Sequence, residues 1–175
     1  KTDSPEIQAF VVKGKTRIIE YYNSQIDFII KKAEALASQD QYDDAIIELL
    51  QVPEVCKDAY MKAMDKVGAI YQQKIDKEGA KLLAAAKNAW NANQSWDGAQ
   101  EAAYYLNQID PNSSSAAGAE ALANQIAKRI KEVDKREWDF MVKQHNDNVT
   151  LEKARIEAAK QIGIARAKQP VNYYN

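Results

Sequence analysis

Residues 33–53 read AEALASQDQYDDAIIELLQVP. Ala33, Leu36 and Ala37 lie three and four apart, so they share one helical face. Ser38, Gln39, Asp40 and Gln41 then interrupt the apolar pattern with residues that favour caps and turns. Tyr42, Ala45, Ile46, Leu49 and Leu50 resume it at helical spacing. Pro53 lacks the N–H a helix interior needs, so the second helix should stop just before it. The stretch reads as a helical hairpin whose axes approach closely at the short side chain of Ala45.

A second version stands at residues 84–111, AAAKNAWNANQSWDGAQEAAYYLNQIDP. Trp96 takes the place of Tyr42, Ala99 that of Ala45, and Pro111 ends the run. Working outward, Ser4 can cap a helix with Pro5 in its first turn and Glu6 near its positive end. Ile7, Phe10, Val11, Ile18, Tyr22, Ile26 and Ile29 extend that helix to about Ser38, with Gly14 as a kink or close-contact point. Cys56, Ala59, Ala63, Val67, Ile70, Ile75, Leu82, Ala86 and Trp90 predict one helix over about Glu54 to Ala92, with a break conceivable at Gly79. Residues 111–115 form a loop. Ala119, Leu122, Ile126, Ile130, Val133 and Met141 predict one long helix from Ser115 to about Lys143. Glu132 and Arg136 are spaced for an i,i+4 ion pair on it. Asn146–Asn148 is a candidate turn, and Thr150 could cap a last helix carrying Leu151, Ala154, Ala158, Ile162 and Ala165.

The expected fold is all-α: antiparallel helical hairpins, about six helices, three of them long and projecting. The expected organisation is one helical domain over 1–168, with hairpins at about 20–53 and 80–111 and an irregular tail at 169–175.

Tyr42-Asp43-Asp44-Ala45-Ile46 and Trp96-Asp97-Gly98-Ala99 resemble the second-helix opening of tetratricopeptide repeats. In that family an aromatic residue, a small residue three on and a proline twelve later recur. Ala99 to Pro111 keeps that step, whereas Ala45 to Pro53 is shorter. Tyr42 and Trp96 stand 54 residues apart, against roughly 34 in the family, so the resemblance is to a divergent relative. Two hairpins that converged on one packing solution are the alternative. The chain also resembles helical envelope proteins of gut Bacteroidetes, which implies no known activity but tilts the expected location toward the envelope or periplasm over the cytoplasm.

Composition narrows the function. The 175 residues carry 24 basic and 25 acidic side chains, a net charge of −1, so no global field recruits nucleic acid or an anionic membrane. No run approaches the ~18 apolar residues of a membrane span. One cysteine, Cys56, allows no internal disulfide and reads as a small buried apolar group. His145, the single histidine, lacks metal-site spacing. Asp43 and Asp44 sit where they offset a helix dipole. No phosphate loop, GxSxG or CxxC occurs, so neither a cofactor nor a metal is expected.

The resulting expectation is a non-enzymatic protein–protein interaction or scaffold module, part of a larger protein or assembly. An oligomerising, coiled-coil-like structural protein is the alternative, and a nucleic-acid-associated helical protein is disfavoured. The repeat resemblance implies a concave face lined by the first helix of each hairpin. It points Lys81, Ala84, Asn88 and Asn91 toward a partner in the second hairpin, and Asp27, Ile30, Lys31 and Glu34 in the first. Lys81 and Lys31 would offer charge, Asn88 and Asn91 amide donors and acceptors. Lys87 stands where the family has a small residue.

Overall fold

A computed structural model describes residues 4–130 and 132–142. The described chain is all-α. Its six helices are α1 (Pro5–Ser38), α2 (Tyr42–Leu50), α3 (Lys57–Ala92), α4 (Trp96–Leu106), α5 (Ala116–Arg129) and α6 (Glu132–Met141). None of them is long and apolar enough to cross a membrane. The expected turn at Asn146–Asn148, the helix after Thr150 and the tail 169–175 lie outside the described residues. So does the side chain of Glu132, expected to pair with Arg136. The chain divides into two compact units, one running to Tyr71 and the next beginning at Gln72. Residues 57–71 of α3 serve the first core and residues 72–92 the second.

In the first unit Ser4 caps α1, its Oγ accepting the Ile7 N–H at 3.3 Å, with Pro5 and Glu6 in the first turn. The other end closes on two crossed hydrogen bonds. The Gln41 N–H donates to the Leu36 carbonyl, and the Asp40 N–H to that of Ala37. This is the Schellman arrangement, which needs a left-handed residue just beyond the helix. Asp40 supplies it at φ 62°, a conformation that Asp tolerates better than most side chains. The Tyr42 hydroxyl donates to Asp40 Oδ1 at 3.1 Å, so the residue that opens α2 also steadies the turn.

The chain reverses within three residues, and α2 returns along α1. Ile26, Ile29, Ala33 and Ala37 of α1 share a core with Ala45, Ile46 and Leu49 of α2. Ala59, Ala63, Val67 and Ile70 of α3 complete it. Each fully buried Ile, Leu or Val contributes about 1.5–3 kcal/mol. Cys56 is fully buried, as its lone occurrence suggested. Helix α3 starts at Lys57, three residues later than expected, because the Pro53 carbonyl is taken by the Cys56 N–H in a separate turn.

The second unit repeats the scheme with different stoppers. Helix α4 begins at Trp96 as α2 begins at Tyr42. Ala99, Ala102, Ala103 and Leu106 of α4 are buried with Ala86 and Trp90 of α3, Leu122 and Ile126 of α5, and Trp138 of α6. A Cβ at Gly98 would collide with the Asn93 carbonyl oxygen, so the turn into α4 requires glycine there. The Trp90 indole N–H has no hydrogen-bond partner among the described residues, a cost of about 1–3 kcal/mol that the burial of so large a ring must offset.

Gly79 does not break α3. Instead it lets the 111–115 loop come close: a Cβ there would meet Ser113 Oγ at 2.6 Å. Asp76 Oδ1 holds the same loop by accepting the Ser114 N–H at 2.8 Å, and Gln72 Nε2 donates to the Asn112 carbonyl at 3.0 Å.

The long helix expected over 115–143 is two helices. Ile130 leaves helical geometry at φ −81°, ψ 154°. A continuous helix would carry position 138 about 18 Å beyond Ile126 at 1.5 Å per residue. The break instead lets Trp138 enter the core with Ile126, and the Asn107 amide donates to the Met141 carbonyl at 3.1 Å.

Two substitutions test these packing statements. Ala99→Leu should overpack the second unit and lower stability by about 1–3 kcal/mol, read from urea denaturation. Asp40→Ile should cost about 1–2 kcal/mol, because a β-branched residue resists the left-handed region. Asp40→Gly should stay within about 0.5 kcal/mol of the parent, since glycine's backbone ease offsets the lost hydrogen bond to Tyr42.

Candidate functional site

Lys81, Ala84, Asn88 and Asn91 step by three, four and three along α3, so they share one face. Lys81, Ala84, Asn88 and Asn91 are all exposed in the second unit. Lys31 is exposed on α1 in the first unit, as are Asp27 and Glu34, while Ile30 is half-buried. Glu34 is engaged by Lys66 Nζ at 2.6 Å. The second-unit residues therefore form one polar stripe, while the first-unit residues include a carboxylate already paired.

Two concavities escaped sequence reasoning, both in the second unit and both dependent on the break at Ile130. The larger, about 590 Å³, lies among the end of α4, the turn after it, α5 and α6. Its floor is short side chains, Ala116, Ala119, Ala123 and Ala127, and its polar groups are Asn107, Asn124, Glu120 and Asp139. The alanine spacing on α5 was visible in the sequence, but not which helix it would face.

The second concavity is shallow, about 420 Å³, and is lined by Trp96, Gln100, Arg136, Glu137, Phe140 and Met141. Phe140 is 92% exposed. Trp96 and Met141 are half-buried, which fixes their exposed parts in place. An aromatic pair with a flexible thioether and a guanidinium is a composition enriched in protein interfaces. The signal in the sequence was Trp138-Asp139-Phe140, in which two aromatics two apart must face different ways on a helix.

Chemistry elsewhere is sparse. Among the described residues no three His, Cys, Asp or Glu side chains are grouped to hold a metal. His145 lies outside the described residues. The tyrosines divide: Tyr21 and Tyr104 are exposed, and each stacks edge-on against its half-buried neighbour, Tyr22 or Tyr105, with centroids 5.1 and 5.4 Å apart. No family profile, curated protein or solved structure matches this chain.

One titratable group is displaced. Burial raises the Tyr60 phenol above its usual value of 10.0, and the charge and hydrogen bond of Glu54 push it the same way. The folded state thus prefers the neutral phenol. Its stabilising contribution is complete below pH 10, the unfolded value, and is lost as pH rises through the raised folded value. In thermal melts between about pH 9 and pH 11.5, a window that brackets the usual phenol range, Tyr60→Phe should show a shallower alkaline decline than the parent. Parallel declines would remove Tyr60 as a cause.

Proposed function

We propose that this chain is a non-enzymatic protein–protein interaction module built from divergent tetratricopeptide-like hairpins. Two parallels support the likeness to that family. Both short helices open on an aromatic residue, Tyr42 and Trp96, and both place a fully buried alanine three later, Ala45 and Ala99.

The observation that carries the reading is the α4–α6 patch. Phe140 stands 92% exposed on a lining shared with Trp96, Met141 and Arg136. Burying that phenylalanine against a partner recovers apolar area that water now covers. Arg136 beside it suits a partner with a carboxylate at its rim. The polar stripe of Lys81, Asn88 and Asn91 on the second unit is the second docking face, by analogy with the concave side of the repeat family, and Lys31 is the corresponding position within the first unit.

A second reading, self-association, is favoured by one feature. Ile7, Phe10, Val11, Ile18 and Tyr21 of α1 are all exposed. Molar mass rising with concentration in light scattering would favour it.

The test uses a partner captured by the full chain and confirmed by reverse capture. Phe140→Ala should weaken that partner by about tenfold or more, in line with a loss of about 1.4–2 kcal/mol at a hot spot, and should leave the helical circular dichroism unchanged. Lys81→Ala with Asn88→Ala reports on the α3 stripe in the same assay. Parent-like affinity in both variants would rule out both docking faces.

A further inference from the structure

From Pro5 to Ile18, every α1 residue is exposed except the half-buried Gly14. Ile7, Phe10, Val11 and Ile18 are 45 to 78% exposed, and Tyr21 follows at 58%. A contiguous apolar stripe of this length is uncommon on a free surface. Its spacing is informative. Ile7, Val11, Gly14, Ile18 and Tyr21 step by four, three, four and three, the repeat of a helix-to-helix seam.

The sequence beyond Val142 contains the complementary run. Leu151, Ala154, Ala158, Gln161 and Ala165 step by three, four, three and four. Laid antiparallel, the two runs coincide layer by layer. Ile7 meets Ala165, Ile18 meets Ala154 and Tyr21 meets Leu151. Large side chains thus lie opposite small ones in two of these layers, as close packing requires. At the centre Gly14 meets Ala158, the pairing that permits the closest backbone approach. A Cβ at Gly14 would touch nothing within 4 Å, so the space there is open to a neighbour. Along one flank of the seam Arg17 lies diagonally across from Glu157 and Phe10 from Ile164, while on the other flank Lys15 lies diagonally across from Arg155, a like-charged pair. The lengths agree as well. Residues 150–168 as a helix would span about 28 Å, and α1 from Pro5 to Tyr21 about 25 Å, at 1.5 Å per residue.

We propose that residues 150–168 of this same chain dock as an antiparallel helix on the Ile7–Val11–Gly14–Ile18–Tyr21 face of α1. A tethered segment is present at an effective concentration of millimolar order, which a free second copy does not match.

The experiment is a register-specific crosslink in the full chain. One variant combines Ile18→Cys with Ala154→Cys, and the control combines Ile7→Cys with Ala154→Cys. Cys56, whose Sγ lies 3.8 Å from the Ile18 carbonyl oxygen, is replaced by alanine in both, so that it cannot pair with the new thiol at position 18. Under mild oxidation the first pair should close a disulfide within one molecule, at least tenfold faster than the control. Equal rates, or a first-pair product of dimer mass, overturn the proposal, the latter by making a second copy the occupant. Amide exchange provides an independent reading. In full-length Ala158→Arg, protection of residues 7–21 should fall at least tenfold while α2 keeps its protection. Unchanged protection on α1 overturns the docking even where a cysteine variant fails to fold.

Discussion

Close approach of helices at alanine is the constraint on which both units depend. Ala33, Ala45, Ala63, Ala86, Ala99 and Ala102 are all at zero exposure. Packed helix axes lie about 8–10 Å apart, and they reach the near end of that range where the contact residues are short. Such a core gains less apolar area per residue than one of leucine and phenylalanine. It compensates with many backbone-level contacts, each small and each dependent on separation. The two large rings, Trp90 and Trp138, fill space that small side chains leave. This is why the glycines at 79 and 98 matter more than their size suggests. Each marks a place where a loop or a turn presses on a helix with no room for a methyl group.

The break at Ile130 shows local preference competing with tertiary packing. The run from Lys128 to Lys143 is rich in Lys, Arg and Glu, good helix formers, and its local preference is continuity. One residue in extended geometry gives up a turn of that preference. In exchange a tryptophan is removed from water, a gain of roughly 3–5 kcal/mol. Burial of the ring outweighs the lost turn. The break also creates both concavities of the second unit, because they are lined from α6 as well as from α4 or α5.

Much of the fold was legible because it rests on local signals. The Ser4–Pro5 start, the reversal at Ser38–Gln41 and the helix openings at Tyr42 and Trp96 follow from caps, turns and period. The buried face of α3 followed from its stripe, and so did the burial of Cys56 just before it. What was not legible depends on distance in space. Nothing near Ile130 announces a break, since its cause is the cavity that Trp138 fills. Gly79 read locally as a weak point in a helix, yet its role is set by Ser113, remote in sequence. The candidate site divides the same way. Exposure of Lys81, Asn88 and Asn91 could be inferred from helical phase, but the Trp96–Phe140 patch could not, because it joins residues from two helices whose meeting depends on that break.

The single thiol of the chain also acquires a use from its place. Cys56 is fully buried, its Sγ 3.8 Å from the Ile18 carbonyl oxygen. A thiol reagent reaches it only when the first unit opens around the start of α3. The unmodified protein therefore carries a built-in clock. The rate at which Cys56 is labelled measures the opening equilibrium of that unit when closing outpaces labelling, and its opening rate when it does not. Because the second unit has no thiol among its described residues, the readout belongs to the first unit, with no substitution needed to isolate it.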